Sequence, residues 1–373
     1  MLNRLGIFTP VNRRFVTLIK ENQMNKKLLA VAIASAMAAP LAAMADEGNV
    51  TLYGTASAAV EVIDLDNTGT GADFDATQVN SNHSALGIKG WEALGNGLKA
   101  VFLMDMFVGL DNGGGSGSLL GGGRDGYVGL AGNFGTVALG FHGRPWKTST
   151  NGLDLFGSTI ADYSAIMGSG PGGAYYDGGI GNAVIWFLPN VNGFSGHLQY
   201  GADESDNDSN DWGAQGNYSN GPFYGSLSYD EDGRTGGADS DIWKIAGSYT
   251  FNGATTVTGM YENLDLGGSA GDRNAFYLGL GHKMGNNTFK VAYAQADDTD
   301  AGNDGADYWA IGLDHSLSKR TTVYALYTRV ENDDAGTYSL VSAPHTSNFT
   351  TGGTSVLPGG EIDAFGVGVK HNF

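Results

Sequence analysis

The side chains best suited to acid–base or metal chemistry are seven histidines, His83, His142, His197, His282, His315, His345 and His371, and they fall in different segments of the chain. None has the His-Glu-x-x-His companion that sets two imidazoles on one helix face for zinc, and none stands near a nucleophile elbow. No Gly-Lys-Ser or Gly-Lys-Thr loop is present to cradle phosphate. Without cysteine there is no disulfide framework, thiolate metal site, iron–sulfur cluster or sulfur nucleophile. Asp64, Asp66, Thr68 and Gly69, with Asp75 twelve positions in, have the spacing of a calcium loop, but the flanking helices are missing from the pattern. What remains is the chemistry of fixed charge. The chain has 39 acidic against 20 basic side chains, a net of −19, and that excess argues against nucleic acid as a partner. The reading is therefore of a non-enzyme with no resident cofactor, its acidic segments holding divalent cations only weakly.

The elements that carry these charges alternate with period two, as strands do. Ala364, Gly366, Gly368 and Lys370 share one face, and Phe365, Val367 and Val369 the other. Phe276, Leu278 and Leu280 alternate with Tyr277, Gly279, Gly281 and Lys283. One face is apolar, and the other is small, glycine-rich or charged. Short turns such as Gly95-Asn96-Gly97, Asn192-Gly193 and Asn252-Gly253 tolerate positive φ and signal hairpins. Between them lie long loops rich in Asp, Gly, Ser and Asn, such as those from Asp203 to Asp211 and from Asp297 to Asp307. The pattern predicts sixteen strands, at about 49–64, 83–92, 98–110, 124–132, 136–143, 181–189, 194–202, 211–219, 222–230, 241–250, 255–263, 274–284, 287–296, 308–317, 321–331 and 361–373.

The N-terminal segment reads as an export signal. Met24-Asn25-Lys26-Lys27 is followed by an apolar run from Leu28 to Ala39 and by the small-residue cleavage site formed by Ala43 and Ala45. Residues 1–23 carry no export logic and read as an extension upstream of a start at Met24, leaving 24–45 as signal peptide and 46–373 as the exported domain. Removing residues 1–45 takes away six basic side chains and one acidic one, so the remainder carries 14 and 38, a net of −24.

Sixteen antiparallel strands with short turns at one end and long loops at the other describe a transmembrane β-barrel of the bacterial outer membrane, closed because every backbone amide in lipid needs a partner. A soluble sandwich or propeller would bury apolar faces against each other and leave the glycine-rich polar faces unexplained. The composition fits the barrel: 61 Gly for a lumen wall, and 17 Phe, 17 Tyr and 6 Trp for a lipid-facing girdle.

Several strands resemble, in order and spacing, the general trimeric porins of Gram-negative bacteria, in the branch typified by neisserial and burkholderial porins. The resemblance is carried by Val50-Thr51-Leu52-Tyr53-Gly54, by Ser84-Ala85-Leu86-Gly87-Ile88-Lys89-Gly90-Trp91-Glu92 and by Gly97-Leu98-Lys99-Ala100-Val101-Phe102. It continues through Arg124-Asp125-Gly126-Tyr127-Val128-Gly129-Leu130 and Leu317-Ser318-Lys319-Arg320-Thr321-Thr322-Val323-Tyr324 to the ending Val367-Gly368-Val369-Lys370-His371-Asn372-Phe373. It implies an all-β, 16-stranded antiparallel transmembrane β-barrel with an inward-folded third loop, assembled as a homotrimer for passive diffusion of ions and small hydrophilic solutes. It also implies contacts with outer-membrane lipid and lipopolysaccharide, and Phe373 as the signal read by the outer-membrane assembly machinery.

By position the inward loop runs from Gly143 to Ile180, with Arg144, Lys147, Asp154, Asp162 and Asp177 as its charges. The resemblance makes Asp154 and Asp162 the acidic side of a pore constriction, with Arg144, Lys147, Lys89, Asp105, Arg124 and His142 as further candidates. On strand alternation the inward bases are Lys89, Lys99, Lys244, Lys283, Lys290 and Arg124. Relatives commonly carry Arg where this chain has Ala85, Phe141 and Ile185, so the usual arginine ladder is reduced. With 24 of the 38 acids in the predicted outer loops, the expectation is a cation-leaning pore. The alternative function is a surface adhesin or receptor that conducts incidentally.

Overall fold

The computed structural model describes residues 48–67, 72–111, 120–170, 174–175, 178–204, 209–233, 239–265, 267, 271–300, 302–340 and 354–373; the predicted leader with Ala43 and Ala45, and Asp177, lie outside them. The alternating segments form β1 (Gly48–Asp66), β2 (Phe74–Ser81), β3 (Ala85–Gly95), β4 (Leu98–Val108), β5 (Leu120–Gly132) and β6 (Gly135–Gly143). A one-turn helix α1 (Pro145–Thr148) and a small ladder of β7 (Ser169–Gly170) with β8 (Ala174–Tyr175) follow. The wall resumes with β9 (Gly179–Phe187), β10 (Phe194–Gly201), β11 (Asp211–Asn220), β12 (Phe223–Asp232), β13 (Ser240–Phe251) and β14 (Thr255–Asp265). It ends with β15 (Asp272–Met284), β16 (Asn287–Ala296), β17 (Ala306–Ser316), β18 (Thr321–Asn332) and β19 (Glu361–Asn372).

Strands adjacent in sequence are antiparallel neighbours in the wall, and β1 pairs β19 (Val60↔Val367) to close it. β2 and β3 pair successive parts of β1, Val60↔Val79 and Leu52↔Ile88, with a break at His83, whose φ is +56°. Together they make one stave, which gives a closed barrel of sixteen. The hairpin signals act as predicted, since Asn96, Asn192 and Asn252 all hold positive φ, as do Gly97, Gly193 and Gly253.

One predicted boundary is wrong in an instructive way. The stretch from Asp64 to Asp75 is expected to be an outer loop, yet β1 continues to Asp66 and β2 resumes at Phe74, because Ile63 and Leu65 extend the inward apolar alternation and are fully buried. Asp64 and Asp75 face each other across this ladder instead of surrounding an ion. Among the described residues, no group of three or more His, Asp or Glu is arranged to hold a metal.

The outward face is apolar and exposed along the wall, as at Leu52, Leu278, Ile311 and Val367, which is what lipid requires. No helix among the described residues is long and apolar enough to cross a membrane, so the crossing belongs to the strands. The lumen is partly filled. Trp146, Phe156, Ile160, Ile166 and Met167, from the segment between β6 and β9, are fully buried in one cluster with inward wall residues Ile63, Tyr277, Tyr308 and Ala310.

Candidate functional site

A segment folded into a barrel has no sheet partners for its own amides, so the wall's side chains must supply them. Near the start of the segment, the Trp146 amide donates to Asp230 (2.6 Å), and Arg144 lies 3.7 Å from Asp211 and 3.5 Å from Asp232. Lys244, 1% exposed, donates from Nζ to the Thr150 hydroxyl (2.5 Å) and sits 3.4 Å from the centre of the Trp146 ring. The Tyr224 hydroxyl donates to the Ser149 carbonyl (2.6 Å), and the Tyr308 hydroxyl to that of Ala161. At the return of the segment, Glu262 accepts from the Gly168 amide (2.7 Å) and pairs with Arg273 at 3.0 Å; Arg273 also donates to the carbonyls of Ile166 and Ser169.

The two carboxylates expected to form an acidic wall are committed elsewhere. Asp162 is buried and accepts from the amides of Ser158 and Ser164 (3.0 Å each). Asp154 accepts from the amides of Phe156 (2.9 Å) and Tyr163 (3.1 Å) and from the Tyr277 hydroxyl (3.2 Å). Burial, and then the neighbouring Asp162, push the Asp154 carboxyl up to about 8. At neutral pH it is therefore largely uncharged. Asx-type bonding to the segment's own backbone, which a residue type alone does not reveal, occupies both groups.

The opposite wall keeps its charges. Arg124 approaches Asp105 at 3.8 Å and lies over the Phe107 ring at 5.2 Å. It reaches the lumen through a β-bulge: β4 and β5 pair at Asp105↔Asp125 and then at Met106↔Gly123, which leaves Arg124 as the extra residue and turns it inward. Lys89 covers the Tyr53 ring at 5.0 Å, and the Tyr53 hydroxyl bonds Asp105. His142 Nδ1 lies 2.8 Å from Asp125, so that imidazole and carboxylate satisfy each other. Farther round the wall, Lys290 pairs with Asp314 at 2.8 Å beneath the Phe156 ring, and Lys370 shares the field of Lys290, Asp314 and Arg124.

At the positions noted for their missing arginines, Ala85 and Ile185 are inward and buried. Ile185, Ala183 and Ala138 form a small apolar core with Tyr127 and Phe187, and His142 and His197 pack against Phe187. Alternation put Tyr277 on the inward face but did not single out Glu262, Arg273 or Tyr308. Their signal is a large polar side chain on an inward face otherwise made of Gly and Ala.

A closed sixteen-strand barrel with lipid-compatible outside faces and a charged, partly filled lumen is the geometry of a diffusion pore. Residues 30–335 match the family model described as Gram-negative porin. The chain belongs to the Gram-negative porin family. The porin is 30% identical to outer membrane porin protein 32 of Delftia acidovorans over 94% of this chain and 100% of that protein. It is 28% identical to the major outer membrane protein P.IB of Neisseria meningitidis over 80% and 91%. Among solved structures, it superposes on the anion-selective porin from Comamonas acidovorans with a TM-score of 0.71 at 27% identity, covering 88% of this chain and 100% of that one. The trimer form of OmpT from Vibrio cholerae gives 0.61 at 17% identity, a likeness of fold. The protein is thus a cell outer-membrane porin, a passive channel for small solutes and not an enzyme.

Proposed function

We propose that this porin works as a homotrimer and favours anions over cations, the reverse of the preference that its acidic loops suggest. One observation carries the reading. Along the open side of the lumen stand Lys89, Arg124, Lys147, Lys290 and Lys370, five bases against Asp105, Asp125 and Asp314; a further inward acid, Glu61, is fully buried beneath Asn80 and Asn82, and Asp154 and Asp162 are turned into the inward segment. At physiological ionic strength a fixed charge is screened over about 8 Å, so charges lining the passage outweigh carboxylates at its mouth. The anion selectivity of the similar Comamonas acidovorans porin supports the sign, and the trimeric Vibrio cholerae OmpT supports the assembly.

The test of the sign is the reversal potential of the purified protein in a planar bilayer under a salt gradient. A potential on the chloride side of zero is expected. A clear potassium preference would overturn the reading. Cross-linking that stops at three copies tests the assembly, and a monomer that conducts alone would refute it.

A further inference from the structure

Between the inward segment and β4–β6 lies a cleft of ≈ 520 Å³, open mouth included, whose lining combines aromatic and basic side chains. Phe141 and the largely buried Phe107 supply apolar ring surface, Arg124 and Lys147 the positive charge, and Thr148 and Asn151 polar groups from the segment. Its furniture is ordered. His83 stands edge-on to Phe107 (5.7 Å between ring centres, 88°), and the Arg124 guanidinium lies 5.2 Å from the centre of the same ring. The acids nearby are already countered: Asp125 accepts from His142 Nδ1 (2.8 Å) and the Gly143 amide (3.0 Å), and Asp105 accepts from the Tyr53 hydroxyl and pairs with Arg124. At the far side, Gly178 and Gly179 present no side chain to close the space.

We propose that this cleft is a transient subsite for aromatic monocarboxylates passing through the pore. The inference rests on the porin reading and names a solute class for it. A single carboxylate matches the two bases, and a flat apolar body matches the phenyl faces. A multiply charged phosphate would carry more charge than the two bases match, and a purely hydrophilic acid would leave the ring faces unused. Arg124, over the Phe107 ring at 5.2 Å, has five N–H donors, more than its single contact with Asp105 at 3.8 Å uses.

The experiment uses the full-length protein in planar bilayers, with chloride current measured as benzoate, acetate or the neutral isostere benzamide is added. Benzoate is expected to halve the current at a concentration about tenfold below acetate, which lacks the ring, and about tenfold below benzamide, which lacks the charge, each factor corresponding to ~1.4 kcal/mol. Phe107→Leu, which keeps apolar volume without the ring, and Lys147→Met should each raise the benzoate half-block by about tenfold relative to that variant's own chloride current. A half-block no lower for benzoate than for acetate and benzamide would overturn the subsite, as would one unchanged in both variants. Absence of any ion current would overturn the porin reading itself and the subsite with it, whereas a chloride current indifferent to benzoate would sink the subsite alone.

Discussion

Glu262 and Arg273 are fully buried, 3.0 Å apart, and together hold the return of the inward segment through the Gly168 amide and the carbonyls of Ile166 and Ser169. Glu262→Gln keeps an oxygen for Gly168 but strands the guanidinium without a counter-charge. Removing one partner of a buried pair costs about 3–5 kcal/mol. Because Arg273 retains its two carbonyl acceptors, the low end applies, about 3 kcal/mol. At ~1.4 kcal/mol per decade, the undocked population of the return limb should rise by about a hundredfold. The ladder bonds of β14 and β15 do not involve these side chains, so the barrel itself should remain closed. Hydrogen exchange at the Gly168 amide and single-channel recordings of departures from the main open level both report the undocked state. Replacing the pair together, Glu262→Leu with Arg273→Leu, should cost less than the sum of the single changes, since no charge is left stranded. Gly168 exchange in Glu262→Gln within threefold of the parent, or strictly additive single effects, would refute this account of how the segment is held.

Four further outcomes follow from particular contacts. The folded Asp154 carboxyl is raised from 3.8 to about 8, so its contribution to docking is full below about pH 4 and is lost as pH rises toward 8; channel noise should grow across that window and flatten in Asp154→Asn. Gly135 holds φ +92° with the Phe187 carbonyl 2.1 Å from where a Cβ would stand, so Gly135→Ala should lower refolding yield and heat resistance in gel-migration assays by more than ~1 kcal/mol. Phe373 exchanges backbone bonds with Gly54 at 3.0 and 3.2 Å where the barrel closes; deleting it should cost ~2 kcal/mol in the same assay, independently of any role in assembly. Lys244→Met keeps the apolar stem but removes the ammonium held by Thr150 and Trp146, and frequent closures of the single-channel current are expected where the parent is quiet.

The wall was legible in the sequence because each face of a strand meets one solvent. Phe365, Val367 and Val369 read as lipid-facing and are exposed, while Ala364, Gly366 and Gly368 read as lumenal and are buried. The turns were legible because Asn and Gly tolerate the positive φ that short hairpins need. The site was legible only where position along a strand settles direction, as for Lys89, Lys244 and Lys290. Arg124 was also expected inward, but it reaches the lumen through a bulge whose register offset appears only once β4 and β5 are paired, and not by simple alternation. Asp154 and Asp162 lie in a segment without periodicity, where the choice between lumen and backbone is made by contacts far apart in the chain, such as Tyr277 with Asp154. The outer acids were overcounted for a related reason: Asp230 lies on β12 and is fully buried against the Trp146 amide instead of standing in a loop.

The central claim is that the charges governing permeation are the lumenal bases and not the carboxylates of the inward segment. The most direct measurement compares reversal potentials, in one salt gradient, of the parent, Asp154→Asn and Lys147→Met. The account predicts an anion-favouring potential that Asp154→Asn leaves in place and that Lys147→Met moves toward cations. A large shift toward anions in Asp154→Asn, with Lys147→Met unchanged, would contradict it.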